Sequence, residues 1–65
     1  MPKIQEYREK LNLTQEELAK ILGVSRQTIN SIEKNRYVPS TVLALKLSKV
    51  FGISVNELFQ LEEEA

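Results

Sequence analysis

The chain has 65 residues, a length that suits one small domain, and it contains neither cysteine nor histidine. A hydrophobic share of 42% can fill one small core but cannot enclose a sizeable buried active site. Because the chain has no cysteine and no histidine, disulfides and metal sites built from these residues are excluded, so we expect no cofactor and no metal. Oligomerisation remains as the route by which such a small domain gains stability. The absence of aspartate and of a glycine-rich phosphate loop also argues against an enzyme.

Charge is unevenly distributed, although the chain as a whole carries no net charge. Residues 1–22 are balanced, residues 23–49 contain five basic residues and one acidic residue, and residues 50–65 contain four acidic residues and no basic one. Because phosphates respond to charge within a Debye length, the middle segment is compatible with a nucleic-acid partner. No apolar run is long enough for a signal peptide or a membrane span, so we expect a cytoplasmic protein without a membrane partner.

Two helices are predicted in the first third of the chain. The first runs from about Lys3 to Leu11, and one of its faces carries Ile4, Tyr7 and Leu11. Thr14 is the N-cap of the second helix, because Glu17 three residues later completes a capping box. Gly23 ends this helix, since glycine adopts a left-handed backbone without penalty. The inward face of the second helix comprises Leu18, Ala19 and Leu22.

The third predicted helix follows the glycine turn at once. Val24 fills the corner, Ser25 caps the helix, and Ile29 and Ile32 form its buried stripe. Two caps separated by a turn glycine at this spacing predict a helix-turn-helix over about residues 14–36. The outward residues suit a DNA major groove, and the same polar set would also suit an ordinary solvated surface. These residues are Arg26, Gln27, Asn30, Ser31 and Lys34.

A proline separates the third helix from the rest of the chain. Pro39 lacks a donor and disfavours a helical Val38, so the helical pattern breaks there. Ser40 then caps a fourth helix from Thr41 to Phe51, and Gly52 ends it. The apolar residues of this helix are Leu43, Ala44, Leu45, Leu47, Val50 and Phe51.

A short fifth helix follows, because Ser54 and Glu57 repeat the capping box. Strand-like alternation is not evident, although Ile53 or the segment from Phe59 to Leu61 could add a short extended piece. The predicted fold is therefore all-α, a compact five-helix bundle within one domain over residues 1–65. Residues from about 40 to 65 are expected to contribute side chains to the core and to the dimer interface.

These motifs resemble the Xre family, the DNA-binding domains of the phage lambda repressor and Cro type, in its short stand-alone form. The likeness covers nearly the whole chain. Its motifs are Arg8 in the first helix, Thr14-Gln15, Leu18-Ala19, Gly23-Val24-Ser25, Ile29 with Glu33, and Pro39-Ser40. The resemblance implies a lambda-repressor-like fold and a transcriptional regulator that binds double-stranded DNA sequence-specifically.

The resemblance also implies roles for individual side chains of the helix-turn-helix. Arg26 would bond guanine and Gln27 adenine, the pairings that base-edge geometry favours. Asn30 and Ser31, one turn further on, would touch either bases or only phosphates. Gln15 would bond a phosphate and buttress Gln27.

Further roles are implied around the loop that follows the third helix. Asn35, Arg36 and Tyr37 would hold the DNA backbone with help from Lys34, although Tyr37 is equally suited to packing beside the neighbouring proline. Thr28 would either donate to a phosphate or stabilise the helix start. The family also pairs an arginine of the first helix with a glutamate of the third, here Arg8 and Glu33.

Dimerisation is expected for two reasons. One recognition helix reads only a few base pairs, whereas two half-sites one helical turn apart are bound by a two-fold dimer. The C-terminal region also carries more apolar residues than a core of this size can bury, although Leu58 and Val55 also suit the monomer core. The predicted interface comprises Val50, Val55, Phe59 and Leu61.

The sequence therefore predicts a homodimeric repressor that reads a palindromic operator, without a small-molecule ligand. The alternative is an antitoxin or other protein-interaction module that uses the same fold and binds a protein partner. The two differ at Arg26 and Gln27, which only a DNA reader requires.

Overall fold

The computed structural model describes residues 3–59, and its regular elements are five helices. In chain order they are α1 (Ile4–Lys10), α2 (Gln15–Leu22), α3 (Arg26–Glu33), α4 (Thr41–Phe51) and α5 (Val55–Leu58). The predicted all-α class is confirmed, and every predicted helix is present. Within this part of the chain, no helix has the length and apolar character needed to cross a membrane.

Hydroxyl side chains begin four of the five helices. Each accepts a hydrogen bond from the backbone N–H three residues later, and the four caps are Thr14, Ser25, Ser40 and Ser54. Both predicted capping boxes are present, one at the start of α2 and one at the start of α5. These local bonds satisfy N–H groups that a helix start otherwise leaves without partners, so they fix where each helix begins.

A left-handed residue follows four of the helices within two positions, and only two of these residues are glycines. The φ angles are 59° at Asn12, 75° at Gly23, 60° at Asn35 and 70° at Gly52. Asparagine tolerates this conformation better than most residues that carry a Cβ. After each of the four, the next N–H bonds a carbonyl five residues earlier. The connections are therefore short and hydrogen-bonded rather than open.

The core draws side chains from all five helices. It consists of Ile4, Leu18, Ala19, Leu22, Ile29, Ile32, Leu43, Leu47 and Leu58. Leu11, which was expected on the same face of the first helix as Ile4 and Tyr7, lies outside α1, and its side chain is 49% exposed. The helix ends at Lys10 and Asn12 redirects the chain, so that Leu13 packs against the core instead.

The two ends of the described chain meet beside α1. The N–H of Lys3 donates to the carbonyl of Leu58 at 3.1 Å. The ring of Tyr7 stacks on that of Phe51, with centroids 5.8 Å apart, which joins α1 to the end of α4. One domain over residues 1–65 stays a prediction.

Candidate nucleic-acid interface

The turn between α2 and α3 sets the position of α3. Gly23 ends α2 with a left-handed backbone, and the N–H groups of Gly23 and Val24 bond the carbonyls of Lys20 and Ala19. Val24 packs against the core, and the hydroxyl of Ser25 then accepts from the N–H of Thr28 at 3.1 Å. A Cβ added at Gly23 would meet no atom within 4 Å, so the backbone angle rather than crowding favours glycine.

One side of α3 is held in the core and the other is polar. Ile29 and Ile32 are both fully buried. Arg26 and Gln27 are exposed, whereas Thr28, Asn30 and Ser31 are half-buried. The helix is thus fixed through two branched apolar side chains while its polar residues lie at the surface.

Glu33, the acidic residue of α3, is bound to α1. Its carboxylate accepts from Arg8 Nε at 2.7 Å and from Arg8 Nη2 at 3.3 Å, and Arg8 Nη1 also donates to the carbonyl of Leu13 at 2.8 Å. The side chains of this pair are only 12% and 4% exposed. The two residues expected to pair are therefore in contact, and this carboxylate does not face the solvent side of α3.

The hydrogen bond to Glu33 raises the pKa of Arg8, and the charges of Glu33 and Glu9 act in the same direction, while burial opposes them. Folding thus favours the protonated guanidinium. Its contribution to stability is complete below the ordinary arginine pKa, and it is lost as the pH rises through the raised pKa of the folded state. Arg8 therefore remains the cationic partner of Glu33 at any ordinary pH.

Gln15 lies half-buried at the start of α2 and bridges to α3. Its Nε2 donates to Glu33 Oε1 at 2.9 Å and to Asn30 Oδ1 at 3.3 Å. In the protein alone the residues of α3 that Gln15 contacts are thus Asn30 and Glu33, and the expected support of Gln27 stays a prediction. Both amide hydrogens of Gln15 are engaged, so a phosphate contact at this position would come from backbone N–H groups at the start of α2.

The loop after α3 brings two of the predicted backbone-contacting residues beside the helix. Asn35 is left-handed, and the N–H of Arg36 bonds the carbonyl of Ser31 at 2.8 Å. Arg36 and Tyr37 are exposed, Tyr37 to 46%. Together with α3 they form a polar hollow, whose lining is Ser25, Gln27, Thr28, Ser31, Arg36 and Tyr37.

Thr28 takes part in the cap of α3 and also faces this hollow. Its hydroxyl lies 2.9 Å from that of Ser25, and either oxygen can be the donor. The two roles expected for Thr28, helix start and phosphate donor, are therefore geometrically compatible.

Positive charge on this side of the molecule is uncompensated by local acids. Arg26, Lys34 and Arg36 are exposed, and none of them forms a salt bridge within residues 3–59. The surface formed by α3 and the following loop thus combines cations with amide and hydroxyl groups, the chemistry that phosphates and base edges require.

A second surface, on α4 and α5, is apolar. We call it the apolar groove, and its lining is Val38, Pro39, Thr41, Ala44, Leu45, Val55 and Phe59. Val38 is 85% exposed and Leu45 is 58% exposed, with Val42 at 63% on the same helix as Leu45. Of the predicted dimer residues, Val55 and Phe59 line the groove, Val50 packs against the core, and Leu61 lies outside the described residues.

Comparison with known proteins decides the family. A family model described as helix-turn-helix matches residues 4–58, which is most of the chain. The protein is a helix-turn-helix protein of the Xre type. The lambda-repressor-like fold expected from its sequence is thereby confirmed.

Relatives of this Xre-type protein match over nearly its full length. It is 53% identical over 62 residues to an uncharacterized HTH-type transcriptional regulator of Methanocaldococcus jannaschii, covering 95% of this chain and 94% of the relative. It is 47% identical over 62 residues to the HTH-type transcriptional regulator YgzD of Bacillus subtilis, with coverage of 95% and 94%. The solved SOS-response transcriptional repressor LexA from Eubacterium rectale is similar with a TM-score of 0.79 at 31% identity, covering 95% of this chain and 69% of that one.

Sequence reasoning missed two features of these surfaces. The bond between Gln15 and Asn30 depends on the distance between α2 and α3, which no local pattern reports. The exposed Val42 and Leu45 lie off the stripe defined by Leu43 and Leu47, and a helical projection of α4 would have found them.

Proposed function

We propose that this protein is a sequence-specific transcriptional regulator that binds double-stranded DNA as a homodimeric repressor. Its relatives are named HTH-type transcriptional regulators, and the LexA neighbour is named a repressor. Their names support the general role, and the surfaces described above support the specific one.

The observation that carries the proposal is the sequestration of Glu33. A free carboxylate on α3 would repel phosphates and most base acceptors, but here it is held by Arg8 and Gln15 at the inner side of the helix. The outer side of α3 then carries amide and hydroxyl groups. The exposed cations Arg26, Lys34 and Arg36 lie on the same surface and form no salt bridge within residues 3–59. This is the electrostatic arrangement that a major-groove reader needs.

Base reading falls to residues of α3. Arg26 would bond guanine in bidentate fashion, Gln27 would bond adenine, and Ser31 and Asn30 would reach the next bases of the half-site. The polar hollow would receive the DNA backbone. The contacts to DNA phosphates would come from side chains in and around this hollow and from the first N–H groups of α2 at Gln15. These side chains are Thr28, Lys34, Asn35, Arg36 and Tyr37.

The apolar groove would form the interface between two copies. Exposed valine and leucine side chains at this density are unfavourable in water, and a two-fold dimer would cover them with the same surface of a second chain. Val55 and Phe59 line the groove, and Val50 and Leu61 complete the set of residues that we propose for this interface. A dimer would present two copies of α3 to successive major grooves and so read a palindromic operator.

Repression would follow from occlusion. A dimer seated on two half-sites covers about one turn of DNA between them, which blocks polymerase when the operator overlaps a promoter. Such a protein needs no small-molecule ligand, since its own concentration sets both dimerisation and occupancy.

The test is footprinting on DNA upstream of the protein's own gene, with titrations at several salt concentrations. We expect a symmetric footprint with half-sites about one turn apart and a log–log salt slope of several units. Arg26→Ala/Gln27→Ala should weaken binding by about 1 to 3 kcal/mol for each base-reading side chain that is truncated. The control is Lys46→Ala/Gln5→Ala, which removes one cation and one glutamine from exposed positions on other helices.

Either of two results would contradict the proposal. One is the absence of any footprint, and the other is equal binding of every duplex by the wild type and by both double variants. A monomer in sedimentation that nevertheless gives a symmetric footprint would contradict the dimer alone.

The apolar groove also favours a second candidate function, an antitoxin or other interaction module that binds a protein partner. In that case the protein partner would occupy the groove, and Arg26→Ala/Gln27→Ala would leave partner binding intact. Such a module can also repress its own gene, so the footprint and the partner would then occur together.

A further inference from the structure

A chain of four side chains leads from α1 to the outer side of α3. Arg8 donates to Glu33, Glu33 accepts from Gln15 Nε2 at 2.9 Å, and the same nitrogen lies 3.3 Å from Asn30 Oδ1. The chain begins with a nearly buried ion pair and ends at a half-buried amide. It therefore connects a fixed charge to a residue of the recognition helix.

The charge of Glu33 decides which way both amides face. A carboxylate can only accept hydrogen bonds, so Gln15 must turn its nitrogen, not its oxygen, toward Glu33. Because that nitrogen also contacts Asn30, the Asn30 atom facing it must be the carbonyl oxygen. Two groups whose oxygen and nitrogen are otherwise interchangeable are thus oriented by one ion pair.

The remaining atom of the Asn30 amide is available to a ligand. Within residues 3–59, Asn30 Nδ2 donates to no atom, and no buried side-chain nitrogen or oxygen in this part of the chain lacks a partner. The NH₂ group is therefore in contact with solvent, while the oxygen is turned toward Gln15 on α2, so the donor is the part of the Asn30 amide directed away from α2.

We propose that Asn30 is a specificity-determining residue that acts as a donor only, and that Gln15 is the positioning residue that makes it so. This inference rests on the proposed function. A donor recognises guanine O6 and N7 or thymine O4, whereas on adenine the single acceptor N7 stands beside the N6 amino group, which is itself a donor. The bidentate pairing of asparagine with adenine needs its oxygen and nitrogen turned to the same base, and the bond to Gln15 holds the oxygen toward α2.

The first experiment selects binding sites from a randomised DNA duplex library with the wild type, Asn30→Asp and Gln27→Glu. Both variants add one negative charge to α3, so overall weakening is matched between them. Asn30→Asp should lose a guanine or thymine preference at one base pair of each half-site, by about tenfold, while other positions keep theirs. Gln27→Glu should lose a different position. Asn30→Ala, which places no charge beside Glu33, should lose the same position as Asn30→Asp.

The second experiment tests the orientation without DNA. In ¹⁵N-labelled protein, Gln15→Leu should move the side-chain amide resonances of Asn30, because their oxygen loses its donor. Gln5→Leu is the matched control, since Gln5 also donates to a glutamate, Glu9, at 3.1 Å but on the exposed side of α1. In the selection, Gln15→Leu should admit adenine at the Asn30 position, because the amide is then free to turn over.

The outcomes separate this inference from the proposed function. Wild-type selection that succeeds while Asn30→Asp and Asn30→Ala keep every preference would overturn the role of Asn30 and leave the regulator standing. A wild-type preference for adenine at the position those variants lose, or unchanged Asn30 resonances in Gln15→Leu, would overturn the donor-only orientation. No enrichment of any duplex by the wild type would overturn the proposed function and this inference with it.

Discussion

Helices α3 and α4 are both anchored by two buried branched side chains, yet their outer sides differ in chemistry. The outer side of α3 is polar, whereas that of α4 exposes Val42 to 63% and Leu45 to 58%. A polar outer side with nearby cations suits a polyanion, and an apolar one suits another protein surface. One small domain can thus present two unrelated partners with two separate surfaces, because each helix needs only one stripe to hold it in the core.

The largest expected effect comes from loosening the inner side of α3. Glu33→Ala would leave Arg8 nearly buried without its partner, which should reduce the free energy of unfolding by about 3 to 5 kcal/mol. Urea denaturation followed by circular dichroism measures this loss. Glu6→Ala breaks the pair of Lys10 with Glu6, whose side chains are 64% and 60% exposed, and should cost no more than about 1 kcal/mol.

A double variant sharpens the interpretation of that loss. In Arg8→Met/Glu33→Leu both charges are replaced by apolar groups, so stability should return close to that of the wild type. DNA binding should not return with it, because Gln15 then lacks the acceptor that orients it. Stability and binding recovering together would contradict the positioning role of the ion pair.

A charge placed on the outer side of α4 should weaken self-association, unlike a charge at an exposed position outside the apolar groove. Leu45→Asp should weaken self-association by about tenfold or more, since burial of a leucine side chain contributes roughly 1.5 to 3 kcal/mol. Sedimentation velocity over a concentration series measures this. Ile21→Asp is the matched control, because Ile21 is 56% exposed on α2 outside the apolar groove. Equal behaviour of the two variants would remove the groove from the interface.

The smallest effect compares the caps of the two helices. Ser25→Ala and Ser40→Ala each remove one hydroxyl acceptor from a helix start, and each should cost about 1 kcal/mol of stability in thermal denaturation. Only Ser25 lines the polar hollow and contacts the Thr28 hydroxyl, so Ser25→Ala alone should also weaken DNA binding. Loss of binding in both variants would indicate a general loss of folded protein instead.

The sequence predicts structural features that depend on interactions between residues close together in the chain. The five helices and the hydroxyl caps of four of them were predictable, because a hydroxyl three residues before its N–H partner and a left-handed glycine are local features. The ends at Asn12 and Asn35 were not, since asparagine occupies many other conformations. Leu11 was misplaced because a single left-handed residue after α1 decides whether the apolar pattern continues.

The surfaces divide in the same way. The polar residues of α3 were identified from helical spacing, which is fixed once Ile29 and Ile32 are buried. The hydrogen bond from Gln15 to Asn30 was not predicted, because residues 27 and 30 lie almost a turn apart and only the approach of α2 selects between them. The apolar groove was not predicted, because it brings the loop at Val38 and Pro39 to the same hollow as Val55 and Phe59, which are far away in the chain.

The hydrogen bond between Lys3 and the Leu58 carbonyl has a consequence for the connectivity of the fold. At 3.1 Å these two positions are close enough that a short added peptide would close the five helices into a ring. The chain could then be opened in the exposed loop between α3 and α4, at a site that cuts neither a helix nor a core side chain. We expect a circular permutant of residues 3–58 to keep the same packing with a different helix order.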